Sequence, residues 1–211
     1  MNVIDPLLVV VAYGDSQDVE RPPNVRNTSF WAILFTLQIP IVPQFILDTL
    51  IQSGHGSKAS IVVTQPRRIS AISVAARVSA ERADDGSVGY AIRGEAKQDK
   101  RTKLLFCTTG VLLRRLGSGD KLENVTHVVV DEVSSLNKIN LEMVSQDTRQ
   151  VHERSVDGDF LLLELRELLL RHDTLKVILM SATINHEIFV KYFNNAPLLT
   201  IPGFTHPVED R

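Results

Sequence analysis

The chain has little cysteine, little net charge and no long unbroken apolar run. Cys107 is the only cysteine among 211 residues, so no internal disulfide can form and we expect the reducing interior of a cell, in the cytoplasm or nucleus. Within the apolar run KLLFC, this residue is expected to be a small buried hydrophobe rather than a reactive thiol. The net charge of −2 provides no general basic field, so any nucleic-acid site must be a local patch.

Neither of the two most apolar stretches is typical of a targeting or membrane segment. Residues 3–12 are broken by Asp5 and Pro6 and have no preceding basic region, which argues against a secretory signal. Residues 29–51 are interrupted by Pro40 and Pro43, which favours a core helix over a membrane span. A composition of 44% hydrophobic and 23% charged residues is that of an ordinary globular domain.

Strand-like and helix-like runs alternate from residue 42 onwards. Short apolar runs, in part rich in β-branched residues, predict strands at residues 59–64, 88–93, 103–107, 127–130, 175–180 and 198–201. Helical spacing predicts helices at residues 42–53, 69–82, 108–116, 158–172 and 185–193. In the second helix the residues expected to face inward are Ile69, Ile72, Ala76 and Val78. The alternation predicts an α/β fold with one doubly wound, mostly parallel sheet and helices on both faces. No element is predicted in residues 1–30.

The run THVVVDEV at residues 126–133 carries the clearest chemical signal. Its apolar residues lead directly into two carboxylates, Asp131 and Glu132. Open α/β sheets bind ligands at the carboxyl ends of their strands. A Walker B element has this layout, in which the first acid holds Mg²⁺ through its water shell and the second activates the attacking water. On these residues alone, a strand that ends in a plain polar turn is an equal alternative.

Several motifs in a fixed order resemble the first RecA-like domain of DEAH-box (DExH) RNA helicases of superfamily two. In chain order they are VPQFILD, TQPRRISAISVAARVSAER, VGYAIRGE, FCTTGVLLRRL, THVVVDEV, HERSVDGDFLLLELRELL, LMSATIN and YFNNAPLLTIPGFTHPVED. The resemblance is nearest to the multidomain branch with G-quadruplex-resolving and YTH-domain members. It implies a single RecA-like, P-loop NTPase-type domain at residues 42–205, with ATP and Mg²⁺ as cofactors and RNA as the partner. In the intact family, nucleotide hydrolysis is coupled to RNA unwinding.

The resemblance also implies which residues contact RNA. Arg67 and Arg68 of TQPRR would bind the RNA backbone, and guanidinium groups suit phosphate by charge and geometry. The alternative is two solvated arginines that start a helix. Thr108, Thr109 and Gly110 of TTG would offer hydroxyls and free amides at a helix N-terminus, which is a ready phosphate site. A simple helix cap by the threonines is compatible with that role.

A second set of residues is expected to serve the nucleotide. Asp131 and Glu132 would hold the metal, with Glu132 activating water. His152, Ser181 and Thr183 would couple the nucleotide site to the RNA side. An ordinary strand-end cap is the alternative for the two hydroxyl residues of SAT.

The phosphate loop departs from the family pattern. In the family, G-x-x-G-x-G-K-T-T-Q precedes VPQFILD, whereas here Gln38 stands in the place of the lysine and Pro40 in that of a threonine. No glycine occurs between Asp15 and Gln52. Glycine amides wrap the phosphates and lysine neutralises their charge. We therefore expect that tight nucleotide binding by the usual route is lost, with residues 1–41 as an atypical segment in place of the loop.

The acidic motif is interrupted as well. Joining Glu132 to Val151 restores the family sequence DEVHERS, which leaves residues 133–150 as surplus. Their ends can be encoded by GTAAGT and CAG, so one hypothesis is a retained short intron. The alternative is a genuine surface loop, because long insertions cost little loop-closure entropy. In either case His152 is displaced along the chain.

The end of the sequence bears on the expected activity. The resemblance implies that residues 206–211 are the start of a linker to a second RecA-like domain, which we expect this chain to lack. Unwinding requires two domains that close around the nucleotide, so we expect no ATP-dependent unwinding by this chain. The alternatives to an ATP-binding helicase half are a catalytically dead fragment that at most binds RNA and a mis-spliced product without a stable fold.

Overall fold

The computed structural model describes residues 8–14, 41–131, 156–181 and 190–202. Its strands are β1 Leu8–Gly14, β2 Ile61–Gln65, β3 Val88–Ile92, β4 Glu95–Lys97, β5 Leu104–Thr108, β6 His127–Val130, β7 Lys176–Ser181 and β8 Leu198–Pro202. Its helices are α1 Ile41–Gln52, α2 Arg68–Glu81, α3 Thr109–Gly117 and α4 Val156–Leu169, with a short 3₁₀ helix at Gly56–Lys58. Residues 190–192 are also helical. None of these helices is long and apolar enough to cross a membrane.

The eight described strands form one sheet in the order β4-β3-β5-β2-β6-β7-β1-β8. Every neighbouring pair is parallel except the β3–β4 hairpin, which is antiparallel. The carboxyl ends of the parallel strands therefore meet at one edge of the sheet. This arrangement confirms the predicted α/β class and the mostly parallel sheet.

Side chains alternate between two cores, one on each face of the sheet. Val62, Val128 and Leu179 belong to the core that also contains residues of α3 and α4. Val63 and Val129, each one residue further along its strand, belong to the core that contains residues of α1 and α2. Strands that are apolar on both faces are typical of a parallel sheet covered on both sides. The prediction of helices on both faces is therefore confirmed.

The sequence did not reveal β1. It pairs in parallel with β7 and β8, with Ala12 level with Ser181 on one side and Thr200 on the other. Its sequence LVVVAYG is strand-like. The alternation of helices and strands that supports the other predicted strands is missing around it, because a polar segment follows. The three-residue β4 was also not predicted, because its residues are exposed and only the pairing with β3 defines it.

The inward face of α2 differs from the expected one. Its buried residues are Ala71, Ala75 and Val78. Ile69 is 78% exposed and Ala76 is exposed, while Ile72 is half-buried. The prediction was therefore right for Val78 and wrong for Ile69 and Ala76. Two alanines on the inner face allow close approach to the sheet, and this sets the rotation of the helix and leaves Ile69 outside.

A polar cluster joins α1 to the end of α2. The Arg82 guanidinium donates to Asp48 Oδ1 at 2.7 Å and to Ser87 Oγ at 3.1 Å. Gln44 Nε2 donates to Glu81 Oε2 at 2.8 Å, and this hydrogen bond, with the nearby Arg77, holds the pKa of Glu81 below its usual value. The motif VPQFILD thus fixes α1 against α2 through Gln44 and Asp48 as well as through its apolar residues.

Candidate functional site

Three adjacent strands bring polar residues to the same level at the carboxyl edge. Gln65 at the end of β2 is level with Thr108 at the end of β5. Asp131 follows directly after Val130, which is level with Thr64. Neighbouring strands lie about 4.8 Å apart, so Thr108, Gln65 and Asp131 form a row across the centre of the sheet.

Asp131 is held in place at the end of β6. Its carboxylate is 8% exposed, and Gln65 Nε2 donates a hydrogen bond of 2.8 Å to its Oδ2. The Asp131 backbone N–H donates to the carbonyl of Thr64 at 3.3 Å. By strand alternation both side chains lie on the α1 face, in line with Val63 and Val129. The Asp131 carboxylate is therefore held by Gln65 at the carboxyl edge of the sheet.

Gln65 is a site residue that the sequence reading missed. Its side chain is 2% exposed, although glutamine is mostly a surface residue. The available signal was its position, because Gln65 directly follows one predicted strand as Asp131 directly follows another. It also belongs to the TQPRR motif, in which only the arginines had been assigned a role.

Exposed arginines lie on the β3, β5 and β2 side of the edge. Arg67 is the N-cap residue of α2 with an extended backbone, and Arg68 is the first residue of that helix. Both are exposed. Arg93 is also exposed and follows directly after β3, whose Ala91 is level with Cys107 of β5. The predicted RNA residues Arg67 and Arg68 are therefore accessible, and Arg93 is a third cation at the same edge.

The TTG motif occupies the start of α3. Thr108 is its N-cap residue and makes no side-chain capping hydrogen bond, so the expected cap is absent for this hydroxyl. Thr109 and Gly110 form the first turn. A Cβ built on Gly110 would lie 3.2 Å from Asp157 Oδ2 of α4. This carboxylate opposes phosphate binding on the α4 side of the helix start, so an incoming phosphate is favoured on the side of the arginines.

The nucleotide side is described only in part. Ser181 ends β7, and its backbone lies level with Ala12 of β1. Glu132, His152 and Thr183 lie outside the described residues, as do residues 15–40 and the surplus segment 133–150. The structure therefore brings the backbone ends of β6, β7 and β1 together, and the roles of those three residues stay predictions.

The residue expected to hold Mg²⁺ suits that ion, whereas the segment expected to bind the ATP phosphates does not suit them. Asp131 suits a metal ion held through water, but within the described ranges no three His, Cys, Asp or Glu side chains converge as a metal site. Glu132, the second predicted metal residue, lies outside these ranges. Between the end of β1 at Gly14 and the start of α1 at Ile41, residues 15–40 contain neither glycine nor lysine. The acid thus fits the metal, whereas the connection between β1 and α1 does not fit a phosphate cradle.

Cys107, a buried titratable residue beside Thr108, lies on the opposite face of the sheet from Gln65 and Asp131. Cys107 is 1% exposed, and burial raises the pKa of its thiol to about 12. The expectation of a buried, unreactive cysteine is confirmed. Its side chain belongs to the core on the α3 and α4 face, opposite to Gln65 and Asp131. An open cavity of about 580 Å³ on that same face is lined by Cys107, Leu105, Val111 and Arg114, among others.

Comparison with known proteins identifies the family. No family model matches the chain. A DExH-box ATP-dependent RNA helicase of Arabidopsis thaliana is 52% identical over 171 residues, and a second one is 51% identical over 169 residues. The ATP-dependent DNA/RNA helicase DHX36 of Rattus norvegicus is 46% identical over 172 residues. These matches cover 79–80% of this chain but only 13–15% of the relatives. The chain therefore belongs to the DEAH-box (DExH) helicase family, and it spans about a seventh of the length of these three relatives.

Proposed function

We propose that this chain is the first RecA-like domain of a DEAH-box RNA helicase, and that its main activity in isolation is RNA binding. The observation that carries the proposal is the exposed arginine edge beside the row Thr108, Gln65 and Asp131. In the intact family this domain forms one half of the ATP-binding and RNA-binding clefts. The setting we expect is intracellular, in the cytoplasm or nucleus.

The RNA-binding surface lies at the carboxyl edge on the β3, β5 and β2 side. Arg67, Arg68 and Arg93 supply three exposed positive charges there, although the net charge of the chain is −2. Such a patch binds the phosphate backbone with little sequence preference. Affinity should be modest and should fall steeply with salt, since each neutralised phosphate releases counterions.

The nucleotide site keeps its acid but lacks its cradle. Asp131 would hold Mg²⁺ through water, and Glu132 would be the base that activates the attacking water. When bound, Mg²⁺ would neutralise the charge on the transferring phosphate. Residues 15–40 supply neither the glycine amides nor the lysine that bind the phosphates. We therefore propose that ATP binds this chain very weakly and that the chain alone does not unwind RNA.

Fluorescence anisotropy with a labelled single-stranded RNA tests the RNA site. Replacing Arg67 and Arg68 together by Gln should weaken binding at least tenfold at about 50 mM salt, because two phosphate contacts are lost. The matched control replaces Arg77 and Arg101, exposed arginines that pair with Glu81 and Asp99, and should change the affinity less than twofold. Equal losses in both double variants would refute a localised site.

An ATP titration and a strand-displacement assay test the nucleotide side. We expect no saturation at millimolar ATP–Mg²⁺ and no ATP-dependent strand separation. Inserting the family loop G-x-x-G-x-G-K-T-T-Q directly before residue 42 should restore ATP binding if Asp131 is correctly placed. ATP-driven unwinding by the unaltered chain would show that the ATP-binding helicase half is functional as it stands.

A further inference from the structure

The hydrogen bond between Gln65 and Asp131 joins the RNA-facing turn to the metal-binding acid. We propose that Gln65 is a positioning residue that fixes the Asp131 carboxylate and transmits RNA binding at Arg67 and Arg68 to it. The inference rests on the proposed function, since it assumes RNA at the arginines and a cation at Asp131. It adds a route between the two sites that runs across β2 and β6, separate from the SAT residues of β7.

The contact has the geometry of a precise support. Gln65 Nε2 lies 2.8 Å from Asp131 Oδ2, and both side chains are at least nine-tenths buried. Burial leaves the amide little freedom to adopt another rotamer, because interiors are closely packed. A hydrogen bond to an ionised acceptor is stronger than one between neutral groups. Rotation of the carboxylate therefore requires movement of Gln65.

A glutamine suits this position for an electrostatic reason. Its amide donates a hydrogen bond to Asp131 without adding positive charge beside the carboxyl group. An arginine or lysine at the same place would form an ion pair and compete with the cation. A leucine would fill similar volume but would leave this carboxylate oxygen without the amide donor. Gln65 thus orients the acid without bringing a charge of its own to the site.

The same residue is covalently close to the RNA side. Gln65 is the last residue of β2, Pro66 follows with a fixed φ angle, and Arg67 and Arg68 begin α2. Only Pro66 separates the buried amide from the exposed guanidinium groups. A phosphate that draws Arg67 and Arg68 together shifts this turn as a unit, and the shift reaches Asp131 through the hydrogen bond.

Nuclear magnetic resonance of the full chain tests both parts of the proposal. The signals to follow are the Gln65 side-chain amide and the Asp131 backbone amide, with a decauridine RNA as the probe. In the unaltered chain, RNA should shift both signals. In Gln65→Leu, RNA affinity should stay within threefold, while the RNA-induced shift at Asp131 should fall by more than half. The control Val63→Ala, a buried change on the same face of β2, should keep that shift.

The outcomes separate this inference from the proposed function. If RNA binds but leaves Asp131 unshifted, or if Gln65→Leu keeps the full shift, the link is refuted and the RNA site stands. If RNA does not bind at all, both the proposed function and the link are refuted. The proposal that Gln65 fixes the Asp131 carboxylate can still be tested without RNA. In that test Gln65→Leu must shift the Asp131 signal, while Val63→Ala must not. An unmoved signal in Gln65→Leu would overturn that part too.

Discussion

His127 makes the stability of this domain depend on pH in a window that can be calculated. The ring lies at the start of β6, level with Lys176 on β7. Burial, followed by the positive charge of Lys176, lowers the pKa of His127 from 6.5 to about 4. The Thr126 hydroxyl donates to the Ser60 carbonyl at 2.9 Å, so at its contact with His127 Nδ1, also 2.9 Å, it must accept. Since its pKa is about 4, the folded ring is neutral at pH 7, and its contact with Thr126 places the proton on Nδ1.

The sign and size of the effect follow from linkage. The unfolded histidine takes up a proton near pH 6.5, whereas the folded ring stays neutral until about pH 4. Stability is therefore fully present above pH 6.5 and falls as the pH drops towards 4. The full difference corresponds to about 3 kcal/mol, at about 1.4 kcal/mol for each pKa unit. Because the ring is only half-buried, we expect about 1–2 kcal/mol in practice.

Urea unfolding followed by circular dichroism at pH 7.5 and pH 5 measures this term. In His127→Gln, which keeps a donor for Thr126, the loss of stability between the two pH values should be smaller than in the unaltered chain by about 1 kcal/mol. Lys176→Met should also reduce the pH dependence, since it removes one cause of the low pKa. The reasoning is wrong if His127→Gln loses as much stability between pH 7.5 and pH 5 as the unaltered chain does.

Two further predictions concern the packing around β3 and α2, both measured as free energies of unfolding in urea. Gly89→Ala should destabilise the fold by about 1–3 kcal/mol, because the new Cβ would collide with the Lys97 carbonyl on β4. Its control Gly117→Ala has nothing within 4 Å and should be neutral or stabilise by up to about 1 kcal/mol, so equal losses would contradict the steric argument. Arg82→Met should cost about 1–2 kcal/mol, because it leaves Asp48 without its 2.7 Å partner. The exposed ion pair between Arg101 and Asp99 should contribute less than about 0.5 kcal/mol. If Arg101→Met costs as much stability as Arg82→Met, the loss of the Asp48 partner does not explain the effect of Arg82→Met.

The sequence predicted the elements whose pattern is local. Six of the eight described strands and the helices α1 to α4 stand close to their predicted positions, because β-branched runs and helical spacing are properties of a few neighbouring residues. It did not predict β1, which depends on pairing with β7 and β8, strands more than 160 residues away in the chain. It also misassigned Ile69, since the rotation of a helix on a sheet is set by tertiary packing.

The residues of the candidate site divide in the same way, into those that local sequence indicates and those that depend on tertiary contacts. Asp131 was predicted from its position after an apolar run, and Arg67 and Arg68 were predicted from the resemblance of TQPRR to the helicase motif; their roles stay predictions. Gln65 was missed because a single glutamine carries no signal until its burial and its contact with Asp131 are known. The register of β2 against β6, which creates that contact, cannot be read from either strand alone.

The interruptions of the two motifs fall where the sheet tolerates them. The surplus segment 133–150 lies between the end of β6 at Val130 and the start of α4 at Val156, and β6 is held on both sides by β2 and β7. The altered phosphate-loop region lies between β1 and α1 in the same way. Loss of a loop between packed elements removes a function without removing the hydrogen bonds of the strands. A sheet of this kind can therefore keep the arginine edge that we propose binds RNA without a phosphate loop of the family type, and spliced-transcript sequencing across codons 1–45 and 133–150 decides whether the gene encodes both interruptions.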